Sequence, residues 1–104
     1  MLLDTLQARE RQIRLLDRYG ALLTDHQREV LDLYLRQDWS LSEVAAHREV
    51  TRAAIHDLIR RSTQALEEFE TRLGLLAEES DRREHLLKEL RSIRRRLEFL
   101  EARA

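Results

Sequence analysis

The stretch SLSEVAAHREVTRAAIHDLIRR, residues 40–61, decides the fold, because it reads as two helices meeting at a tight turn. Ser40 and Glu43 form an S-x-x-E capping box, in which the serine oxygen and the carboxylate each satisfy a backbone N–H that a helix start leaves without a partner. A helix therefore begins near Leu41, turns Val44 and Ala45 inward, and stops around His47 to Glu49. Ala45 is small enough to let a second helix approach closely. Thr51 supplies the next N-cap. From Arg52 onward Ile55, Leu58, Ile59 and Leu66 recur at helical spacing, leaving Arg52, Ala53, His56, Arg60 and Arg61 on or near the outer face. This is the layout of a helix-turn-helix, whose second helix enters a major groove.

Upstream, Trp39 sits at the N′ position before the capping serine, where a large apolar side chain staples onto the following helix and anchors the core. Thr24 and Gln27 repeat the capping box, and Val30, Leu31, Tyr34 and Leu35 form the apolar face of the helix they open. Residues 3–18, LDTLQARERQIRLLDR, place Leu6, Ile13 and Leu16 on one stripe with arginines and acids opposite. Tyr19-Gly20 ends that first helix.

Downstream, Leu66, Phe69, Leu73 and Leu76 recur in steps of three and four, with Gly74 the only breaker. The fourth helix is predicted to run from Arg52 to about Ala77, about 39 Å at 1.5 Å per residue. Ser80-Asp81 offers a new cap, after which Leu86, Leu90, Ile93, Leu97, Leu100 and Ala104 make an a/d heptad seam. The seam packs against the Leu66–Leu76 stripe of its own chain or pairs with a second chain. Three heptads are marginal for an isolated coiled coil, which favours an antiparallel hairpin or a composite dimer bundle over a free zipper.

Composition supports an all-α reading and one domain over residues 1–104: 42% apolar and 38% charged residues, two glycines and no proline favour helix throughout. The helix-turn-helix occupies 40–61, with N-terminal helices over 3–39 and the long helices over 62–104 as a bundle or dimer scaffold. The sequence lacks cysteine, so a disulfide framework, a thiolate metal site and a cysteine nucleophile are excluded together. No apolar run reaches the roughly 20 residues needed to span a bilayer, and MLLDTLQARERQ lacks a basic-then-apolar signal pattern, so a soluble cytoplasmic protein is expected. His26, His47, His56 and His85 share no metal-ligand spacing. The sequence shows no nucleophile–base order, phosphate loop or paired carboxylates, and a bundle this small leaves little volume for a substrate cleft. No enzyme, cofactor, metal, membrane or small-molecule substrate is expected, which leaves recognition by a helix.

The net charge is −1, without the positive excess expected of a strongly basic nucleic-acid binder. Its distribution is uneven. Residues 67–79 carry one basic and five acidic side chains, whereas 81–104 carry eight and five. Lys88, Arg91, Arg94, Arg95 and Arg96 are the densest basic cluster, either a solvated face balanced by Glu89, Glu98 and Glu101 or a phosphate-contacting patch. On the fourth helix, Arg52 suits a bidentate contact to guanine O6 and N7, Ala53 a thymine methyl and His56 the next base, while Arg60 and Arg61 lie nearer phosphates. Asp57 opposes this unless it pairs with one of those arginines.

Leu-Thr-x-x-Gln-Arg at Leu23 to Arg28, Leu-Tyr-Leu at Leu33 to Leu35, Leu-Ser-Glu-Val-Ala at Leu41 to Ala45 and Thr-Arg-x-Ala-Ile at Thr51 to Ile55 stand in an order and spacing that resembles the YlxM family. These are small bacterial proteins with a helix-turn-helix similar to region 4 of sigma factors. The resemblance spans about Leu15 to Leu76. It implies a dimeric, DNA-binding regulator, with Arg52, Ala53, His56, Asp57, Arg60 and Arg61 on the recognition helix. It also implies a link to the signal recognition particle pathway, which supplies the alternative of a module binding that particle's RNA or proteins without sequence-specific DNA binding. Arg48 stands where the family's pattern has an apolar residue. Glu49 stands where it has glycine or asparagine in a left-handed turn, a conformation costing another residue about 1 kcal/mol or more. Ala53 replaces a polar side chain.

Overall fold

Thr5 accepts a hydrogen bond from the Ala8 N–H at 3.0 Å and opens the first helix, α1, Leu6–Tyr19, of a computed structural model that describes residue 3 and residues 5–103. Its inward stripe is Gln12, Leu15, Leu16 and Tyr19. Leu6 is exposed and Ile13 only half-buried, so of the expected stripe Leu16 alone is in the core. At 100° per residue both lie about a third of a turn from the centre of the buried face.

A single 3-10 turn, Gly20–Leu22, leads to α2, Asp25–Leu31. Here the Thr24 box closes as expected: Thr24 Oγ1 accepts from the Gln27 N–H at 3.2 Å and Gln27 Oε1 from the Thr24 N–H at 3.0 Å. The helix then widens into a π turn, Asp32–Arg36, and Asp38 adopts a left-handed φ of 58°. Helix α3, Leu41–Arg48, and α4, Arg52–Leu73, follow as the helix-turn-helix pair.

Helix α4 ends at Leu73, short of Ala77. Gly74 takes φ 65° and donates its N–H to the Glu70 carbonyl at 2.8 Å, a left-handed cap that stops the helix. Helix α5 starts at once and runs unbroken over Leu75–Arg103. Ser80-Asp81 is therefore helix interior, not a cap, and Leu76 belongs to α5. Ala104 of the seam lies outside the described residues.

The chain divides into two compact units, Met1–Gly74 and Leu75–Ala104. The core of the first is built on α4, against which α1, α2 and α3 each pack. Ile55, Ile59 and Leu66 of α4 share the buried apolar set with Leu15, Leu16, Tyr19, Leu23, Val30, Leu31, Leu35, Val44 and Ala45. Ser62 and Thr63 are also buried on α4, and their hydroxyls donate to the Leu58 and Ile59 carbonyls at 2.7 and 3.0 Å. Trp39 is half-buried rather than central, its indole set edge-on to His47 of α3 with ring centroids 5.3 Å apart. In the second unit no described residue of α5 is buried.

Candidate nucleic-acid interface

The helix-turn-helix is fixed by its own chain ends. Ser40 Oγ accepts from the Glu43 N–H and Glu43 Oε1 from the Ser40 N–H, both at 3.0 Å, and these bonds hold the Glu43 carboxyl below the usual range. At the other end Glu49 takes φ 57°, ψ 41°. Its N–H reaches the Ala46 carbonyl at 3.3 Å and the Val50 N–H the Ala45 carbonyl at 3.0 Å, the paired bonds of a Schellman cap. Glu49 thus occupies the left-handed position expected of it. Thr51 Oγ1 then caps α4 through the Ala54 N–H at 3.0 Å. Arg48 lies half-buried and meets Glu29 of α2 at 2.5 Å, so an ion pair stands where an apolar side chain was expected to close the core. That contact holds the Glu29 carboxyl low.

Arg52, Ala53, His56, Arg60 and Arg61 are all exposed along α4, with Ile55 and Ile59 turned into the core between them. Asp57 is clamped from both sides, by Arg60 Nη2 at 2.7 Å and by Arg61 Nε at 2.9 Å. The Arg60 hydrogen bond, with the charges of both arginines, keeps its carboxyl well ionised. Arg52 makes no ion pair among the described residues, so its guanidinium at the N-terminal end of α4 is available to a base edge. Gln27 of α2 joins Ala54, Asp57, Leu58 and Arg61 around one shallow recess beside this face. Sequence reading gave Gln27 only its capping task. The Thr24–Gln27 box was the available signal, since it sets the start of α2 against α4.

On α5, Lys88 lies 3.9 Å from Glu84 and Arg94 3.2 Å from Glu98, while Arg91, Arg95 and Arg96 are exposed without an ion pair among the described residues. The structure does not place this cluster and the α4 face in one compact unit. Of the expected seam, Leu66 is buried in the first unit and Phe69 packs on Tyr19 with ring centroids 6.1 Å apart. Leu73 is exposed, as are Leu86, Leu90, Ile93, Leu97 and Leu100. Among the described residues no group of His, Asp or Glu is arranged to hold a metal ion, and no helix is long and apolar enough to cross a membrane.

A box-capped helix, a left-handed turn and a longer second helix with an exposed basic face define a helix-turn-helix protein. Residues 6–103 match the family described as "UPF0122: Putative helix-turn-helix protein, YlxM / p13 like", and the chain belongs to it. The match takes in α5, beyond the Leu15 to Leu76 span of the resemblance. UPF0122 proteins of Symbiobacterium thermophilum and Acetivibrio thermocellus are 47% and 43% identical over 89 and 82 residues, covering 86% and 76% of this chain and 82% and 70% of their own. One from an Exiguobacterium species is 41% identical over 87 residues, 84% of this chain and 80% of its own.

Proposed function

We propose that this chain is a homodimeric, cytoplasmic DNA-binding regulator that acts by recognition and not by catalysis, with α4 as the reading helix. The observation that supports it is the N-terminal half of α4. Arg52, Ala53 and His56 stand exposed there, while Asp57 is neutralised by Arg60 and Arg61 rather than left to repel a phosphate. Arg52 reads a guanine, His56 reaches the adjoining base, and the Arg60–Arg61 end lies against the backbone.

Selection from a random-sequence duplex pool, followed by gel shift at several salt concentrations, tests this reading. A selected site is expected to bind with a salt-dependent affinity that Arg52→Ala and Arg60→Ala both weaken. Binding unchanged by both substitutions overturns the assignment of the face. The same assay with signal recognition particle RNA addresses the family-implied alternative, which predicts no duplex binding at physiological salt.

A further inference from the structure

Helix α5 carries a second surface that the reading face does not use. Leu86, Leu90, Ile93, Leu97 and Leu100 are each between 45% and 60% exposed and lie in steps of four and three, so one apolar stripe of about 21 Å faces solvent. With Leu90 and Leu97 at a and Leu86, Ile93 and Leu100 at d, the flanking g positions hold Glu89, Arg96 and Arg103 and the flanking e positions hold Leu87, Arg94 and Glu101. In a parallel pair each g side chain meets the e side chain five residues on in the other helix. Glu89 then meets Arg94 of the second copy, and Arg96 meets its Glu101. All four contacts are between opposite charges.

Antiparallel pairings fit less well. The one that sets Leu90 against Leu100 and Ile93 against Leu97 brings Arg94 and Arg96 each against its own copy. The one that sets Leu90 against Ile93 and Leu97 against Leu86 opposes Glu89 to Arg96 but leaves Leu100 facing the exposed Arg83, whereas the parallel pair matches all five apolar positions and puts Arg83 against its own copy beyond the end of the stripe.

We propose that α5 pairs with α5 of a second copy of this chain as a parallel, in-register two-stranded coiled coil, marginal by its length alone and so one part of a composite dimer contact, its register set by Glu89 with Arg94 and Arg96 with Glu101. This deepens the homodimeric part of the reading above and rests on it. The intrahelical Arg94–Glu98 pair is solvent-exposed on both sides and exchanges for the interhelical contact at little cost.

The sequence has no cysteine, so single-cysteine variants report the geometry directly. Leu100→Cys, at d near the far end, is expected to oxidise to a covalent dimer almost completely, and Ala102→Cys, on the outward f position, far less. In sedimentation, Glu89→Arg and Arg94→Glu are each expected to weaken the dimer by roughly tenfold, and an equimolar mixture of the two to recover it. A dimer by mass in which Leu100→Cys cross-links no better than Ala102→Cys overturns the parallel pairing and leaves the homodimer standing. A dimer indifferent to both charge reversals, or weakened without recovery on mixing, overturns the register. A monomer, or a species heavier than two chains, overturns the proposal, and a monomer overturns the homodimer with it.

Discussion

Asp57 sets how much positive charge the proposed reading face of α4 offers. Its two oxygens hold Arg60 and Arg61, so these three charged side chains of α4 amount to one net positive charge. Asp57→Asn is expected to tighten duplex binding and to steepen the plot of log affinity against log salt, by about 0.9 for each released arginine that reaches a phosphate. Gel shifts over a salt series measure it, and an unchanged slope means that neither arginine is restrained by the carboxylate. Glu49 is a second residue whose backbone decides its effect. At φ 57° it bears the cost that glycine avoids. Glu49→Gly is expected to raise stability by about 1 kcal/mol in urea unfolding, with α4 unmoved.

At the scale of elements, α1 is tied to α4 by a polar clamp as well as by the core. Arg11 grips Glu67 with Nε and Nη2, both at 2.8 Å, Gln12 adds a hydrogen bond at 2.9 Å, and Tyr19 Oη donates to Glu70 at 2.6 Å. The Arg11 hydrogen bond, aided by the charge of Arg11 and opposed by burial, holds the Glu67 carboxyl below its ordinary value. A carboxyl lowered in the folded state stabilises the fold above its unfolded pKa, and that contribution disappears as pH falls through the folded value. Glu67→Gln is therefore expected to cost about 1 kcal/mol or less at neutral pH, since both partners are part-exposed, and nothing in strong acid. Urea midpoints for both chains across the acid range check it.

None of this clamp was legible in the sequence, because residues 56 positions apart carry no local signal of pairing. Local chemistry was legible: both capping boxes, the Thr51 cap and the outward α4 residues follow from spacing alone. Where a local signal competed with another, the outcome turned on backbone geometry. Gly74 offered a left-handed cap against a continuing apolar stripe and the cap prevailed. Ser80-Asp81 offered a cap inside good helix formers and the helix ran through. The π turn at Asp32–Arg36 had no sequence signature, and the α1 face differs from the expected stripe because it centres on Leu15 and Tyr19, with the polar Gln12 buried beside them. At the candidate site the exposed arginines were legible and the spacing of Asp57 allowed it to pair with one of them, but that it holds both Arg60 and Arg61 was not legible.

For the whole chain, a net charge of −1 means that affinity for any polyanion depends on where the positive charge is concentrated. There are two concentrations, the α4 face and the α5 cluster, and salt dependence separates them. Lys88, Arg91 and Arg95 lie at f and b positions of the heptad, away from the seam and from Glu89, Arg94, Arg96 and Glu101. Neutralising the three together therefore removes the α5 patch without touching the contacts proposed to pair two chains. If α4 is the reader, the triple alanine variant is expected to keep its duplex affinity and salt slope, while Arg52→Ala loses affinity for the selected site but keeps much of the slope. If phosphates are instead held on α5, the triple variant's slope falls by up to about 2 to 3 for three lost contacts, the smaller value applying to a single strand, and Arg52→Ala has no effect. A dimer doubles the change in either case, since each copy brings the same three side chains. The two sets of substitutions thus assign the binding charge to one helix or the other.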